Sequence, residues 1–412
     1  MKGRKMVVIV GLALAFCMGP CLTQLGPEAL AQAKPVIAVG HLPHFTGAYA
    51  ATQAPFGPAQ EDAIEWANAV NYVPGAELKL VWADGGTDTA KSILAFKKML
   101  SESPRPAVII GESTAVGTAL VKMHAQEKVP DVEGGMSLAM INPPSWTFCQ
   151  PPPYPSQFGA WVDYFLKHIW KKSEPPKFAW LTWDNPFGKA PMTEEAEAYL
   201  KSKGIKVVAT EFIPAVPSDT TAHVMRLKAS GADFTFGGMY PSALAVVLKD
   251  MDKFGMTGKI TVGMSYACNL SELTTYVGPL ANGLYITGIN TMVEEWSKKC
   301  PMVDEMYTKK NRNVDKWTYG NCWSKFAIAV EAVKRAAKEV GPAKVDGQAV
   351  YNALIHMKDF DAWGISPPVT FSETRRVGIG SVEMQTVERE KMVSKGFFPM
   401  PDLLPGSKDV PK

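Results

Sequence analysis

Two hydroxyls, Ser113 and Thr114, stand where the apolar run Val108–Ile110 passes through Gly111 and Glu112 into a helix-like stretch. Three chemistries use hydroxyls in that position. A hydrolase places a nucleophile at such a strand-to-helix turn. A binding site holds an anion there, with the hydroxyls joined by the unpaired N–H groups of the helix start. A plain helix cap needs only one hydroxyl accepting from those same N–H groups. On this stretch alone all three stay open.

Other catalytic machinery is sparse. None of the six histidines (His41, His44, His124, His168, His223, His356) lies in a nucleophile or zinc motif. Gly263-Met264-Ser265-Tyr266-Ala267 begins like a nucleophile elbow but lacks its last glycine, and Gly111-Glu112-Ser113 breaks off similarly. There is no phosphate loop and no G-x-G-x-x-G. His41 and His44 offer two metal ligands without an evident third, so no metal and no cofactor is expected. An exported α/β hydrolase stays open as an alternative, because a triad is defined in space.

The elements that must position these residues alternate. Val36–Leu42, Leu78–Ala83 and Ala107–Ile110 read as strands. Between and after them come helices over 61–70, over 88–100 with Thr87 or Asp88 as cap, and from Thr114. Three βα units in a row imply a parallel sheet covered on both faces. The stretch 141–157 then holds six prolines and reads as an irregular crossover. Beyond it the alternation restarts. Phe158, Trp161, Phe165 and Ile169 form one helical face, and 178–183, 205–211, 234–238, 260–264 and 283–288 read as strands. Helices are expected over 193–201, 221–229, 243–251, 303–310 and 323–340, with a strand-like segment over 367–386. The fold class is therefore α/β: two doubly wound parallel-sheet lobes and a cleft at the strand C-termini.

Composition bounds the rest. The chain has 412 residues, 46% hydrophobic and 20% charged, which is that of a folded protein with room for two cores. Lys2, Arg4 and Lys5 precede the apolar run Met6–Met18, and Ala31-Gln32-Ala33 offers a cleavage site, so residues 1–33 read as a signal peptide. Their loss lowers the net charge from +3 to +1, which gives no sign of a nucleic-acid partner. The bulky Phe16 before Cys17 speaks against a lipid anchor. Export leaves Cys149, Cys268, Cys300 and Cys322 for one or two disulfides, and Cys300–Cys322, flanking one helix, is the expected pair.

Taken in order, several short pieces resemble one family. Val39-Gly40 with Phe45-Thr46-Gly47-Ala48-Tyr49-Ala50 is similar to a G-P-L-T-G-P-Y-A loop. Ile110–Thr114 is similar to I-G-x-x-S-S/T, and Val129–Ser137 to V-P-x-I-S-P-S-A-S/T. Asp184-Asn185-Pro186-Phe187-Gly188 resembles D-x-x-Y-G, and Gly237–Pro241 resembles G-G-Y-x-P. Together they resemble type I periplasmic solute-binding proteins of the branched-chain amino-acid (leucine, isoleucine, valine) type, which serve ABC transporters. The resemblance covers the whole mature chain.

It implies a monomeric periplasmic protein that captures a small solute by cleft closure and hands it to an ABC permease. A sensor that presents the closed form to a receptor is the alternative within that class. It implies lobe 1 from 34–153 with 290–376, lobe 2 from 154–289 with 377–400, three hinge crossovers, and a tail over 401–412. Ligand-binding positions carried over are Tyr49, Ser113, Thr114, Ser137, Asp184, Phe187, Tyr240, Ser265 and Tyr266, with Ser113 and Ser137 holding a carboxylate. The departures shape the ligand. The position where amino-acid binders carry an acid for the ligand ammonium reads Met264-Ser265-Tyr266. A buried ammonium without an anion is costly, so a hydrophobic or aromatic carboxylate or amide is expected. Glu112 and Glu133 sit in or near the first-lobe loops, and a cleft-facing Glu133 would bring back a cationic or amide ligand.

Overall fold

The computed structural model describes residues 33–409, so the expected signal segment lies outside the described residues but for its final residue. Two sheets organise the described chain. The first is wholly parallel, in the order β2-β1-β3-β4-β5, from Val36–Leu42, Glu77–Trp82, Pro106–Gly111, Asp131–Glu133 and Thr147–Cys149 as β1 to β5. The second runs β12-β11-β10-β9-β8-β6-β7, with β6 Lys177–Trp183, β7 Lys206–Ile213, β8 Phe234–Phe236, β9 Thr261–Ser265, β10 Tyr285–Gly288, β11 Val382–Glu388 and β12 Lys391–Phe398. Its parallel part, β7-β6-β8-β9-β10, repeats the order of the first sheet, although the sequence shows no repeat. Only β11 and β12 run antiparallel, as an added edge ribbon.

Sequence explains where these strands sit. β3 is buried along its whole length and β6 in all but its first residue. A strand covered on both faces has no solvent side, so it is an unbroken apolar run rather than an alternating one. In both sheets the order reverses beside the first strand, between β1 and β3 and between β6 and β8. Helices leave opposite faces there and open a crevice at the strand C-termini. The fold thus aims the segments after β1, β3, β6 and β8 at one place.

The helices carry their own punctuation. Asp88 accepts from Lys91 N–H to cap Thr89–Leu100, and Thr193 caps Glu194–Ser202 through Ala196 N–H. The helix Phe56–Ala69 starts earlier than its apolar spacing indicates, directly behind Pro55. The helix expected over 323–340 also starts early. It runs Lys316–Val340, capped by Asp315 at Thr318 N–H, and packs on the helix Phe56–Ala69 and on β3.

The proline-rich stretch is more ordered than its composition suggests. It contains β5, paired with β4, and the start of the helix Tyr154–Tyr164. Pro155 falls in the first turn of that helix, where the missing N–H has no partner to lose. The chain crosses between sheets three times, after β5, after β10 and before β11. The first and third crossovers are tied together: Cys149 N–H donates to Arg376 O, Gly378 N–H to Cys149 O and Ile379 N–H to Gln150 O. Arg376 is buried over the Phe148 ring and donates to Ser145 O and Tyr351 Oη, while Trp146 stacks on Tyr351. The stretch around Trp146 therefore braces the crossovers.

The segment beyond β12 packs back onto the helix Tyr154–Tyr164, with Leu403 fully buried and its N–H donating to Ser156 Oγ. The expected disulfide does not form. Cys149, Cys268, Cys300 and Cys322 are free, buried thiols. Cys322 lies inside the long helix with Sγ directed at Phe56 O, whereas Cys300 caps the helix Pro301–Lys309. Among the described residues no helix is long and apolar enough to cross a membrane.

Candidate functional site

A cavity of about 50 Å³ lies where the two crevices meet. Its first-sheet wall comes from Tyr49, Thr52, Gln53 and Phe56 beyond β1, and from Glu112, Ser113 and Thr114 at the end of β3. The second-sheet wall is Tyr154, Phe187, Tyr240 and Tyr266. Trp317, Thr318 and Asn321, from the first two turns of the long helix, close a third side.

Aromatic rings hold the second wall together. Tyr49 stacks on Trp183 with centroids 5.8 Å apart, and Tyr240 lies 4.9 Å from Tyr49 and 5.1 Å from Trp183. Tyr154 meets Phe187 edge-on at 5.4 Å. Burial raises the Tyr49 phenol to about 12, and burial likewise pushes up the phenols of Tyr154, Tyr240 and Tyr266. All four are therefore neutral hydroxyls at physiological pH. Besides the Tyr49 ring contacts, two hydrogen bonds between lining residues cross the cavity: Tyr266 Oη donates to Gly134 O, and Gln53 Nε2 donates to Tyr240 Oη at 3.4 Å.

Among the described residues Glu112 is the charged side chain of the lining, and the long helix supports it through Lys325. Glu112 Oε1 lies 3.2 Å from His41 Nε2, and Oε2 lies 3.2 Å from Lys325 Nζ. Lys325 is 1% exposed and donates also to Asn321 O at 3.1 Å and Asn321 Oδ1 at 2.6 Å. His41 Nδ1 meets Gln60 Oε1 at 2.6 Å. Both carboxylate oxygens of Glu112 thus have partners inside the protein. A buried carboxylate needs such compensation.

Glu133 occupies a different place from the one its sequence neighbours suggest. It is buried beneath the β3 loop and does not line the cavity. Its Oε1 accepts from Ser113 N–H at 2.9 Å and Gly135 N–H at 2.8 Å. Burial, and then the charge of Asp131, hold its carboxyl well above the usual range. Burial lifts Asp131 to about 8, and it faces His124 Nε2 across 3.7 Å. Burial lowers His124, and likewise His44, to about 4. Asp131 is therefore protonated and the two imidazoles neutral near pH 7.

Of the nine residues expected from sequence, Tyr49, Ser113, Thr114, Phe187, Tyr240 and Tyr266 line the cavity. Ser137, Asp184 and Ser265 do not. The Ser137 hydroxyl pairs with Thr118 Oγ1 at 2.8 Å. Asp184 is exposed and bound to Lys189. Ser265 is buried, with its N–H on Gly237 O and its hydroxyl unpartnered. Ser113 stands at the start of the helix Thr114–Glu127 but makes no side-chain cap bond, so the capping role falls away. Its side chain faces the Tyr49 hydroxyl.

Sequence reading missed Gln53, Tyr154, Trp317, Asn321 and Lys325. Lys325 carried a signal, as a lone cation inside the apolar run Cys322–Val330 of a helix. For metal ligation, His41, Glu112 and Cys322 place one ligand atom each within 4.8 Å of one another. Lys325 Nζ already holds the second oxygen of that carboxylate. His44 faces elsewhere, accepting from Thr87 N–H, so the His41-x-x-His44 pair does not converge.

Two doubly wound sheets, three crossovers and a cavity walled from both sides define a two-lobed ligand-binding fold of the α/β class. A family model described as "Periplasmic binding protein" matches residues 36–391, and the chain belongs to that family of substrate-binding proteins. Among curated relatives, Leu/Ile/Val-binding protein homolog 7 of Brucella suis biovar 1 is 23% identical over 289 residues, 65% of this chain and 72% of that one. Among solved structures, a branched chain amino acid ABC transporter protein from Thermus thermophilus with bound valine matches with TM-score 0.81 at 21% identity, over 91% of this chain and 98% of that one. A fatty acid ABC transporter substrate-binding protein from Thermomonospora curvata matches with TM-score 0.76 at 17% identity, over 92% and 95%. At these identities the structural likeness speaks for the fold.

Proposed function

We propose that this chain is the periplasmic substrate-binding component of an ABC importer. It captures a small organic solute between two lobes, residues 34–153 with 290–376 and residues 154–289 with 377–400, and passes it to a membrane permease. The observation that carries this reading is the cavity itself, whose walls come from both sheets and whose crossing contacts exist only when the walls are together. A ligand touching both walls favours the closed arrangement by its differential contacts. One relative is named for Leu/Ile/Val binding and one solved neighbour for fatty acids, which supports a small organic solute with an apolar body.

The protein works by binding and not by catalysis. Neither Ser113 nor Ser265 has a histidine as hydrogen-bond partner among the described residues, so neither hydroxyl has a base to activate it. The ligand is a hydrophobic or aromatic carboxylate or amide rather than a free amino acid. Glu112 is the one carboxylate on the cavity wall, and its oxygens are already held by His41 and Lys325. A thermal-shift screen of the mature protein against amino acids, aromatic acids, fatty acids and amides tests this. A true ligand at about 100 times its Kd stabilises by about 2.7 kcal/mol. No shift from any class would refute the binding role.

A further inference from the structure

The donors that the sequence led us to expect for the ligand's oxygen are not all free. Ser113 N–H is held by Glu133 Oε1, as is Gly135 N–H, and Ser137 is turned to Thr118. Lys325 spends its three N–H bonds on Glu112 and on two oxygens of Asn321. On the long helix the opposite holds. Trp317 and Asn321, four residues apart and so on one face, both line the cavity and are 4% and 6% exposed. Trp317 Nε1 and Asn321 Nδ2 find no acceptor among the described residues. Buried N–H groups in native proteins are nearly always satisfied, and an unmet one costs free energy that an incoming acceptor recovers.

The orientation of the Asn321 amide follows from chemistry. An ammonium can only donate, so the atom at 2.6 Å from Lys325 Nζ is the amide oxygen, and the amide nitrogen is the end left free. The Trp317 indole is likewise donor-only. Two fixed donors without an adjacent acceptor recognise an oxygen and reject an ammonium.

We propose that the long helix Lys316–Val340 carries the subsite for the ligand's acceptor oxygen, a carboxylate or an amide carbonyl, read by Trp317 Nε1–H and Asn321 Nδ2–H. The assignment rests on the binding-protein reading and sharpens it. The ligand's apolar body then faces Tyr240, Phe187 and Tyr266 on the other side.

Calorimetric titration of the mature protein with benzoate, benzamide, 4-methylpentanoate, leucine and benzylamine tests it, in wild type, Trp317→Phe and Asn321→Asp. Trp317→Phe keeps the ring and removes one donor, which should weaken the acceptor probes roughly tenfold. Asn321→Asp keeps the oxygen facing Lys325 and replaces the free N–H group with an anion. It should weaken benzoate by more than about 100-fold and benzamide far less. Should either variant fold poorly, the Trp317 indole N–H resonance in wild type decides, since it must move downfield when an acceptor probe binds. Acceptor probes that bind both variants as they bind wild type, or leave that resonance unmoved, would overturn the subsite while the binding role stands. If no probe binds wild type, both readings fall.

Discussion

The two walls of the cavity come from sheets of the same strand order, yet they differ in chemistry. The first wall and the long helix hold Glu112 and Lys325, which His41 and Asn321 lock in a network of side-chain contacts. The second wall is aromatic, with Phe187 beside Tyr154, Tyr240 and Tyr266, whose phenols burial keeps neutral. The fold supplies two equivalent crevices and the sequence divides the labour between them. One wall is a rigid polar reader, and the other is an apolar cover that closes over it. Closing an apolar cover over satisfied charges leaves no ion to be stripped of water without a partner.

That contrast can be broken most severely at Lys325. Lys325→Met should leave Glu112 buried with His41 alone and lower stability by about 3–5 kcal/mol. Pairing it with Glu112→Gln should restore most of the loss, read as melting temperatures of the three variants. An unchanged melting temperature in the single variant would show that the network is not structural.

A second test uses pH. His44 and His124, depressed to about 4, favour the fold above pH 6.5 and lose that contribution as pH falls through 4. Asp131, raised to about 8, and Glu133, raised well above its ordinary value, favour the fold in acid and lose their contribution as pH rises. Between about pH 4 and 6.5 the folded state gains two carboxyl protons and gives up two imidazole protons relative to the unfolded chain, so the pH terms largely cancel. From about pH 6.5 to 8 only the carboxyl terms remain. Stability should then fall by roughly 2 kcal/mol per titrating carboxyl. Asp131→Asn should remove a large part of that slope in a series of melts against pH. Stability that rises over this window would contradict the buried neutral carboxyls.

Smaller effects sharpen the division between the walls. Tyr266→Phe deletes the hydroxyl that crosses to Gly134 O. Ligand affinity should drop by about 0.5–1.5 kcal/mol with little change in melting temperature, because the ring packing survives. Ser113→Ala should do least, within about threefold in Kd, since it is the Ser113 N–H and not its hydroxyl that Glu133 holds. A tenfold loss there would return the acceptor end of the ligand to the β3 loop.

Much of this arrangement was legible before any coordinates. The strand–helix alternation follows from periodicity, and the places where loops converge follow from strand order. Glu112, Ser113 and Tyr240 sit in segments that the fold must aim at the cleft. The rest depended on contacts between residues far apart in sequence. Nothing local distinguishes Glu133, folded under the β3 loop, from Glu112, which faces the cavity at the end of the adjacent strand. Trp317 and Asn321 lie on a helix whose apolar spacing looks like ordinary core, and unmet N–H groups together with a place on the cavity wall set them apart. Cys300 and Cys322 are close in sequence, but one precedes the helix Pro301–Lys309 and the other lies inside the long helix, and both thiols are free.

The most direct test of the account compares leucine with 4-methylpentanoate, the same carbon skeleton without the amine, by calorimetric titration of the mature protein. Among the described residues Glu112 is the carboxylate that lines the cavity, and with His41 and Lys325 already holding it the lining offers donors that seek an acceptor and no unpaired carboxylate. The carboxylate should bind at least about tenfold more tightly than leucine, a difference of about 1.4 kcal/mol. Leucine binding as tightly as 4-methylpentanoate, or more so, would mean that Glu112 serves a ligand ammonium and would contradict the account.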